Sequence, residues 1–185
     1  AFWPMLGWLA GAKSPIGIPI LTGLENVSPT QDDLKALCAA FGTTSGAPML
    51  HVRGHTPEGF NEIPENTKLE EITKIDFINL WQKFNSDEVH VDLVAIGSPH
   101  ASMSECSAFA DLLEDKYCFD KTKTILTVGR NTLAKLSSTG VADRLKRSGV
   151  QVVPDICWCS ITEPIFPKNA SVLMTNSGKY AHYGK

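Results

Sequence analysis

Two thiols stand one residue apart in the stretch Asp155-Ile156-Cys157-Trp158-Cys159. They lie off any helical stripe, and their spacing is not that of a zinc finger, so metal ligation and burial both remain open for Cys157 and Cys159 on pattern alone. Three further stretches carry reactive groups. Gly97-Ser98-Pro99-His100 offers a hydroxyl and an imidazole, although a lone histidine serves as readily to cap or to pack. His51 and Glu58, at the ends of His51-Val52-Arg53-Gly54-His55-Thr56-Pro57-Glu58, are candidates for orienting substrate or handling protons. Thr175-Asn176-Ser177-Gly178-Lys179 reads either as a plain helix cap or as an anion site, where backbone N–H groups and a lysine attract a carboxylate.

The remaining cysteines have blander readings. Cys38 and Cys106 fall on apolar helix stripes and Cys118 lies between Tyr117 and Phe119, where a thiol behaves as a small hydrophobe. Five cysteines, odd in number and unevenly spaced, do not make a disulfide framework, and a reducing cytoplasm is the expected compartment.

Alternating strands and helices must position these groups. Strands are expected at 16–21, weakened by Pro19, and at 48–52, 91–96, 123–128, 150–153 and 171–174. The nearly unbroken apolar run at 91–96 is the pattern of a strand covered on both faces. A helix is expected to start at Ser28, with Pro29 in its first turn, Gln31 closing a capping box and Leu34, Leu37, Cys38 and Phe41 as its buried stripe. Others are expected at 76–85, with Phe77, Leu80, Trp81 and Phe84 on one face, from Ser102 with Glu105 as its capping partner, and over 131–147. The pattern is that of an α/β domain, layered α/β/α around a mostly parallel sheet. Ligands of such sheets collect beyond the carboxyl ends of the strands. All four reactive stretches are expected there.

Composition sets outer bounds. The 185 residues are 43% hydrophobic and 20% charged with a net charge of −3, values of an ordinary globular chain with no field to recruit nucleic acid or an acidic membrane surface. No apolar run approaches the about 18 residues of a membrane span. The apolar opening Ala1-Phe2-Trp3-Pro4-Met5-Leu6-Gly7-Trp8-Leu9-Ala10 lacks a basic lead-in and is not expected to be a signal peptide; the chain is expected to start in mid-protein.

Taken in order, Asp33-Leu34-Lys35-Ala36-Leu37, His51 to Glu58, Gly97 to Ser102, Asp155-Ile156-Cys157 and Thr175-Asn176-Ser177-Gly178-Lys179-Tyr180-Ala181-His182-Tyr183 resemble the large catalytic domain of the aconitase X family. The resemblance runs across nearly the whole chain. It implies an aconitase-like catalytic fold and an iron–sulfur hydro-lyase, whose members dehydrate cis-3-hydroxy-L-proline in bacterial single-chain forms or mevalonate 5-phosphate in archaeal two-subunit forms. It also implies that residues 1–185 are one α/β portion of that large domain. Its partners would be an upstream segment, a small swivelling domain and a small hydroxy acid. Where many members have Gly-Cys-Pro-His, this chain has Ser98. The departure points to the hydroxyproline type and to a smaller cluster, [2Fe-2S], with Cys157 and Cys159 as ligands; Cys38, Cys106 and Cys159 remain alternatives to compensate for Ser98. Ser98 and His100 would then line the substrate side, while Thr175, Asn176, Ser177 and Lys179 would hold the substrate carboxylate. Loss of water would leave an enamine that tautomerises to pyrroline-2-carboxylate. A non-catalytic α/β binding domain with buried cysteines is the competing reading.

Overall fold

The computed structural model describes residues 1–60 and 62–184. It divides into two compact units, Ala1–Ser86 and Asp87–Lys185, where the sequence was read as one α/β portion. No helix among the described residues is long and apolar enough to cross a membrane.

The first unit is mainly helical. Its elements are α1 (Phe2–Lys13), β1 (Ile20–Leu21), α2 (Gln31–Thr44), β2 (His51–Val52), a 3₁₀ turn (Pro57–Phe60) and α3 (Lys74–Phe84). Leu6, Ala10, Leu37, Phe41, Leu50 and Val52 form its core. The strands expected at 16–21 and 48–52 shrink to a parallel two-residue pair, Ile20 against His51 and Leu21 against Val52. The start of α2 also differs from expectation, because Thr30, not Ser28, is the N-cap. Its hydroxyl accepts from the Asp33 N–H at 3.1 Å and the Asp33 carboxylate accepts from the Thr30 N–H at 2.9 Å, a reciprocal pair that Ser28 and Gln31 do not make. Thr73 and Asp76 repeat the device at α3. Two apolar-stripe assignments fail. Trp81 is 53% exposed, and Cys38 is exposed, one residue (about 100° of helix) round from the fully buried Leu37. Enough protein still surrounds the Cys38 thiol to raise its pKa by desolvation.

Two glycines let α1 lie close against α2. A Cβ on Gly7 would stand 2.0 Å from the Leu37 carbonyl oxygen, and one on Gly11 would stand 2.2 Å from the Thr44 hydroxyl. That hydroxyl donates to the Trp8 carbonyl at 2.8 Å, tying the helices together. Gly42, also helical, faces open space. Alanine should therefore have opposite effects at Gly7 and Gly42. Gly7→Ala is expected to destabilise by about 1–3 kcal/mol, because backbone atoms must separate. Gly42→Ala should stabilise by up to about 1 kcal/mol through helix propensity alone. Urea unfolding of both variants checks the pair, and equal signs would refute the packing account.

The second unit is an α/β layer. Strands β3 (Leu93–Ala101), β4 (Lys123–Val128), β5 (Val150–Pro154) and β6 (Leu173–Thr175) form one sheet in the order β5-β4-β3-β6, every pair parallel. Alternate residues of β4 serve opposite faces, as strand geometry requires. Leu126 and Val128 join Cys106, Leu136 and Leu145 under α4 (Met103–Leu112), α5 (Arg130–Ser138) and α6 (Val141–Arg147). Ile125 joins Leu93, Ala95, Trp158 and Tyr180 on the other side. That second face is covered by the segment after β5 and by the short α7 (Gly178–Tyr183). The helix expected over 131–147 is two helices. The hydroxyls of Ser137, Ser138 and Thr139 bond back to carbonyls of their own helix, and Gly140 turns the chain at φ 75°.

Candidate functional site

The sheet order carries a topological switch. From β3 the chain moves outward through β4 to β5, then returns to place β6 on the opposite side of β3. Crevices form at the carboxyl ends of strands beside such a reversal. The reactive groups of the second unit gather at these ends.

The β3 end is built by a break in the ladder. Ile96 pairs with Leu126 and Ala101 with Val128, so the intervening residues of β3 bow out of register. The strand expected to stop at Ile96 therefore resumes and runs to Ala101, with Gly97-Ser98-Pro99-His100 as its bulge. Gly97 turns the bulge at φ 100°, and a Cβ there would stand 2.3 Å from the Thr127 carbonyl oxygen. The buried Thr127 hydroxyl donates to the Gly97 carbonyl at 2.6 Å. Ser98 is buried, and its carbonyl accepts a short hydrogen bond from the Ser177 hydroxyl. Ser177 is the N-cap of α7 as well, accepting from the Tyr180 N–H at 3.0 Å. Its side chain thus ties the end of β6 to the end of β3. Thr175 accepts from the Ser177 N–H at 3.1 Å, while Asn176 is exposed.

The segment leaving β5 crosses back toward β3. Trp158 is the anchor, only 3% exposed, with its indole N–H donating to the Ile96 carbonyl at 3.2 Å and its ring centroid 4.9 Å from that of Tyr180. The residues on either side of this buried tryptophan, Cys157 and Cys159, are both exposed. His100 Nε2 is 3.0 Å from the Ile156 carbonyl, joining the bulge to the thiol-bearing loop. The two thiols differ in character. Cys157 is shifted down, toward the thiolate, by the Cys159 backbone N–H first, then by the Cys159 thiol and by Lys179. Cys159 is shifted up, chiefly because it donates to Cys157. Burial, then the charge at Cys159, raises the Tyr180 phenol. Ser98, His100, Cys157, Cys159, Ser177 and Lys179 are thus linked within one unit by named contacts and fields.

His51 and Glu58 belong to the first unit. His51 opens β2, with Val52 closing the β1–β2 pair, and its Nδ1 lies 3.7 Å from the Glu58 carboxylate on the following 3₁₀ turn. His55 Nε2 lies 2.8 Å from the Leu24 carbonyl, and the Glu25 carboxyl is held low by its own and the Gly23 backbone N–H, then by Arg53 and His55. Arg53, His55 and Glu25 form a further charged group in the same unit, of which the sequence reading selected none. Trp158, Thr127 and Asp155 were missed too. A tryptophan flanked by two cysteines was the one legible signal among them.

Among the described residues, no three His, Cys, Asp or Glu side chains come together as a metal site. A cavity of about 480 Å³ lies at the amino ends of the strands, lined by Asp92, Phe119, Lys121 and Lys123 among others. Its Asp92 carboxylate is already satisfied by the Ser171 and Val172 N–H groups and the Ser171 hydroxyl. The two thiols and His100 lie at the other end of the sheet.

Comparison with known proteins matches the family model of the aconitase X second domain over residues 1–82 and that of the third domain over residues 91–185. These spans coincide closely with the two compact units. A cis-3-hydroxy-L-proline dehydratase of Hypocrea jecorina is 38% identical across 100% of this chain, which covers 32% of that protein. A phosphomevalonate dehydratase large subunit of Methanocaldococcus jannaschii is 31% identical across 99% of this chain and 45% of its own length. The chain therefore spans from about a third to under half of the length of these relatives. The crystal structure of Thermococcus kodakaraensis aconitase X in its holo-form superposes with a TM-score of 0.81 and 30% identity, over 98% of this chain and 46% of that one.

Proposed function

The chain belongs to the aconitase X family, and from that premise we propose that it supplies part of the active site of an iron–sulfur hydro-lyase that dehydrates cis-3-hydroxy-L-proline. The observation that carries the reaction class is the pair of exposed thiols at Cys157 and Cys159 beside Lys179, presented by a buried tryptophan at the carboxyl edge of a parallel sheet. The donors fit a cluster in part. Both thiols face outward from one short turn, and Cys157 is biased toward the thiolate, the liganding form. A [2Fe-2S] cluster ordinarily takes four protein ligands, so these two are a partial set. When bound, such a group supplies Lewis-acid polarisation of the departing hydroxyl.

The remaining roles fall to side chains. Lys179 provides the cation for the substrate carboxylate, with Thr175 and Asn176 beside it in sequence. The Ser177 hydroxyl is already shared between the Ser98 carbonyl and the Tyr180 N–H, so we assign it to holding the bulge in place for the Ser98 and His100 side chains. His51, with Glu58 to orient it and accept charge, is a proton-handling pair. The hydroxyproline substrate is favoured over mevalonate 5-phosphate by the higher identity of the hydroxyproline-type relative across the whole chain.

The test uses full-length enzyme. It is expected to purify with bound iron and visible charge-transfer absorbance, both lost in Cys157→Ser, and to consume cis-3-hydroxy-L-proline. A colourless, iron-free enzyme that still eliminates water would refute the cluster. Turnover of mevalonate 5-phosphate alone would reassign the substrate. No turnover of either, without iron, would return the chain to the non-catalytic binding domain.

A further inference from the structure

The loop bearing the two thiols leaves β5 at Asp155, and the backbone there is unusual. Asp155 has φ 57°, in the left-handed region that non-glycine residues rarely enter. A conformation of this kind persists where its surroundings over-determine it. Two sets of contacts do so. The Asp155 N–H donates to the Val128 carbonyl at 2.8 Å, one step beyond the last β4–β5 pair, Val128 with Pro154. The carboxylate spans Arg130, with Oδ1 accepting from the backbone N–H at 2.8 Å and Oδ2 accepting from Nε at 2.5 Å.

The first of these carboxylate bonds replaces a missing part of α5. The N-cap of that helix is Gly129, which has no side chain to offer, and Arg130 is its first residue. Asp155 caps α5 from 25 residues away. The ion pair alone is weak evidence of function, since the Arg130 side chain is 80% exposed and water competes for it. The constraint on direction matters more. With residue 155 turned left-handed and tied to a helix end, Ile156 meets His100 and Trp158 enters the core within the next three residues. Both flanks of Cys157 are thereby fixed: Asp155 by α5, Trp158 by β3.

We infer that Asp155 is a positioning residue for the thiol pair, holding the loop so that Cys157 and Cys159 are offered together to the group they bind. The inference rests on the cluster reading above and adds a residue that does not itself touch the cluster.

Full-length enzyme separates the two ideas. Asp155→Ala removes the carboxylate, Asp155→Gly removes it while accepting the left-handed backbone, and Asp155→Asn tolerates that backbone and keeps one acceptor for the Arg130 N–H. Alanine and glycine variants are expected to release iron to a chelator about ten-fold faster than the parent, the scale seen when partners behind metal ligands are lost. Amide exchange should quicken across residues 156–160, with thermal midpoints showing that the variants are folded. Asparagine should fall between. The glycine variant carries the test should alanine fail to fold. Parental iron release in both Asp155→Ala and Asp155→Gly, while Cys157→Ser loses iron, overturns this inference alone. Iron and absorbance retained in Cys157→Ser overturn the cluster reading and this inference with it.

Discussion

Trp158→Ala is expected to destabilise the second unit by about 3–5 kcal/mol, the scale for truncating a buried aromatic side chain. Trp158 is 3% exposed, packs with Leu93, Ala95, Ile125 and Val153, and lies against the Tyr180 ring. A loss of that size is a large share of the about 5–15 kcal/mol that holds a typical domain together. Trp158→Phe separates the contributions. It keeps a ring in the pocket but leaves the Ile96 carbonyl without its indole donor, at a cost of about 1–3 kcal/mol. Denaturant unfolding of the two variants gives the comparison. The consequence reaches the thiols, because Cys157 and Cys159 are presented outward only while the residue between them is buried. An alanine variant within about 1 kcal/mol of the parent would show that the loop is anchored elsewhere.

Gly97→Ala is the second large effect, expected to cost about 3 kcal/mol or more, since it combines a strained φ with a backbone collision. The added methyl would stand 2.3 Å from the Thr127 carbonyl oxygen and 2.6 Å from its hydroxyl, both deep in the sheet. Gly140→Ala is the control. Gly140 also has positive φ, 75°, but nothing lies within 4 Å of its missing Cβ, so only the backbone cost of about 1–2 kcal/mol applies. The difference between the two variants, read from urea midpoints, isolates the collision. Equal losses would mean that the bulge relaxes around alanine. Because Ser98 and His100 ride on the same bulge, Gly97→Ala should also depress turnover in the full-length enzyme beyond what its loss of folded protein explains.

Much of the framework was legible because it depends on local chemistry. The run at 91–96 has the composition of a two-faced strand, and β3 starts there with Leu93 and Ala95 buried. Ser102 and Glu105 were readable as a capping box because both halves lie within four residues of chain. Burial of Cys106 followed from its helix stripe. The errors have separate sources, two local and one tertiary. Thr30 displaced Ser28 as N-cap because the carboxylate that completes the box is Asp33. Cys38 turned outward because α1 covers only the Leu37 face of α2. The helix of 131–147 broke where hydroxyls near its end bonded backward at Gly140.

The sequence by itself determined the alternating α/β pattern, the resemblance to the aconitase X family and the identity of the reactive groups, since periodicity, caps and motif order are properties of neighbouring residues. Only tertiary structure decided how those groups relate. The division at residues 86 and 87, the sheet order β5-β4-β3-β6 and the bonds from Ser177 to Ser98, His100 to Ile156 and Trp158 to Ile96 join residues 56 to 79 positions apart. Contacts at such separations arise from closing the chain around a shared core, and no local pattern encodes them. The thiol pair illustrates both halves. Its residues are plain in the sequence, while its exposure comes with a tryptophan buried under β3, and the inequality of the thiols comes from the Cys159 N–H and thiol both bonding to Cys157.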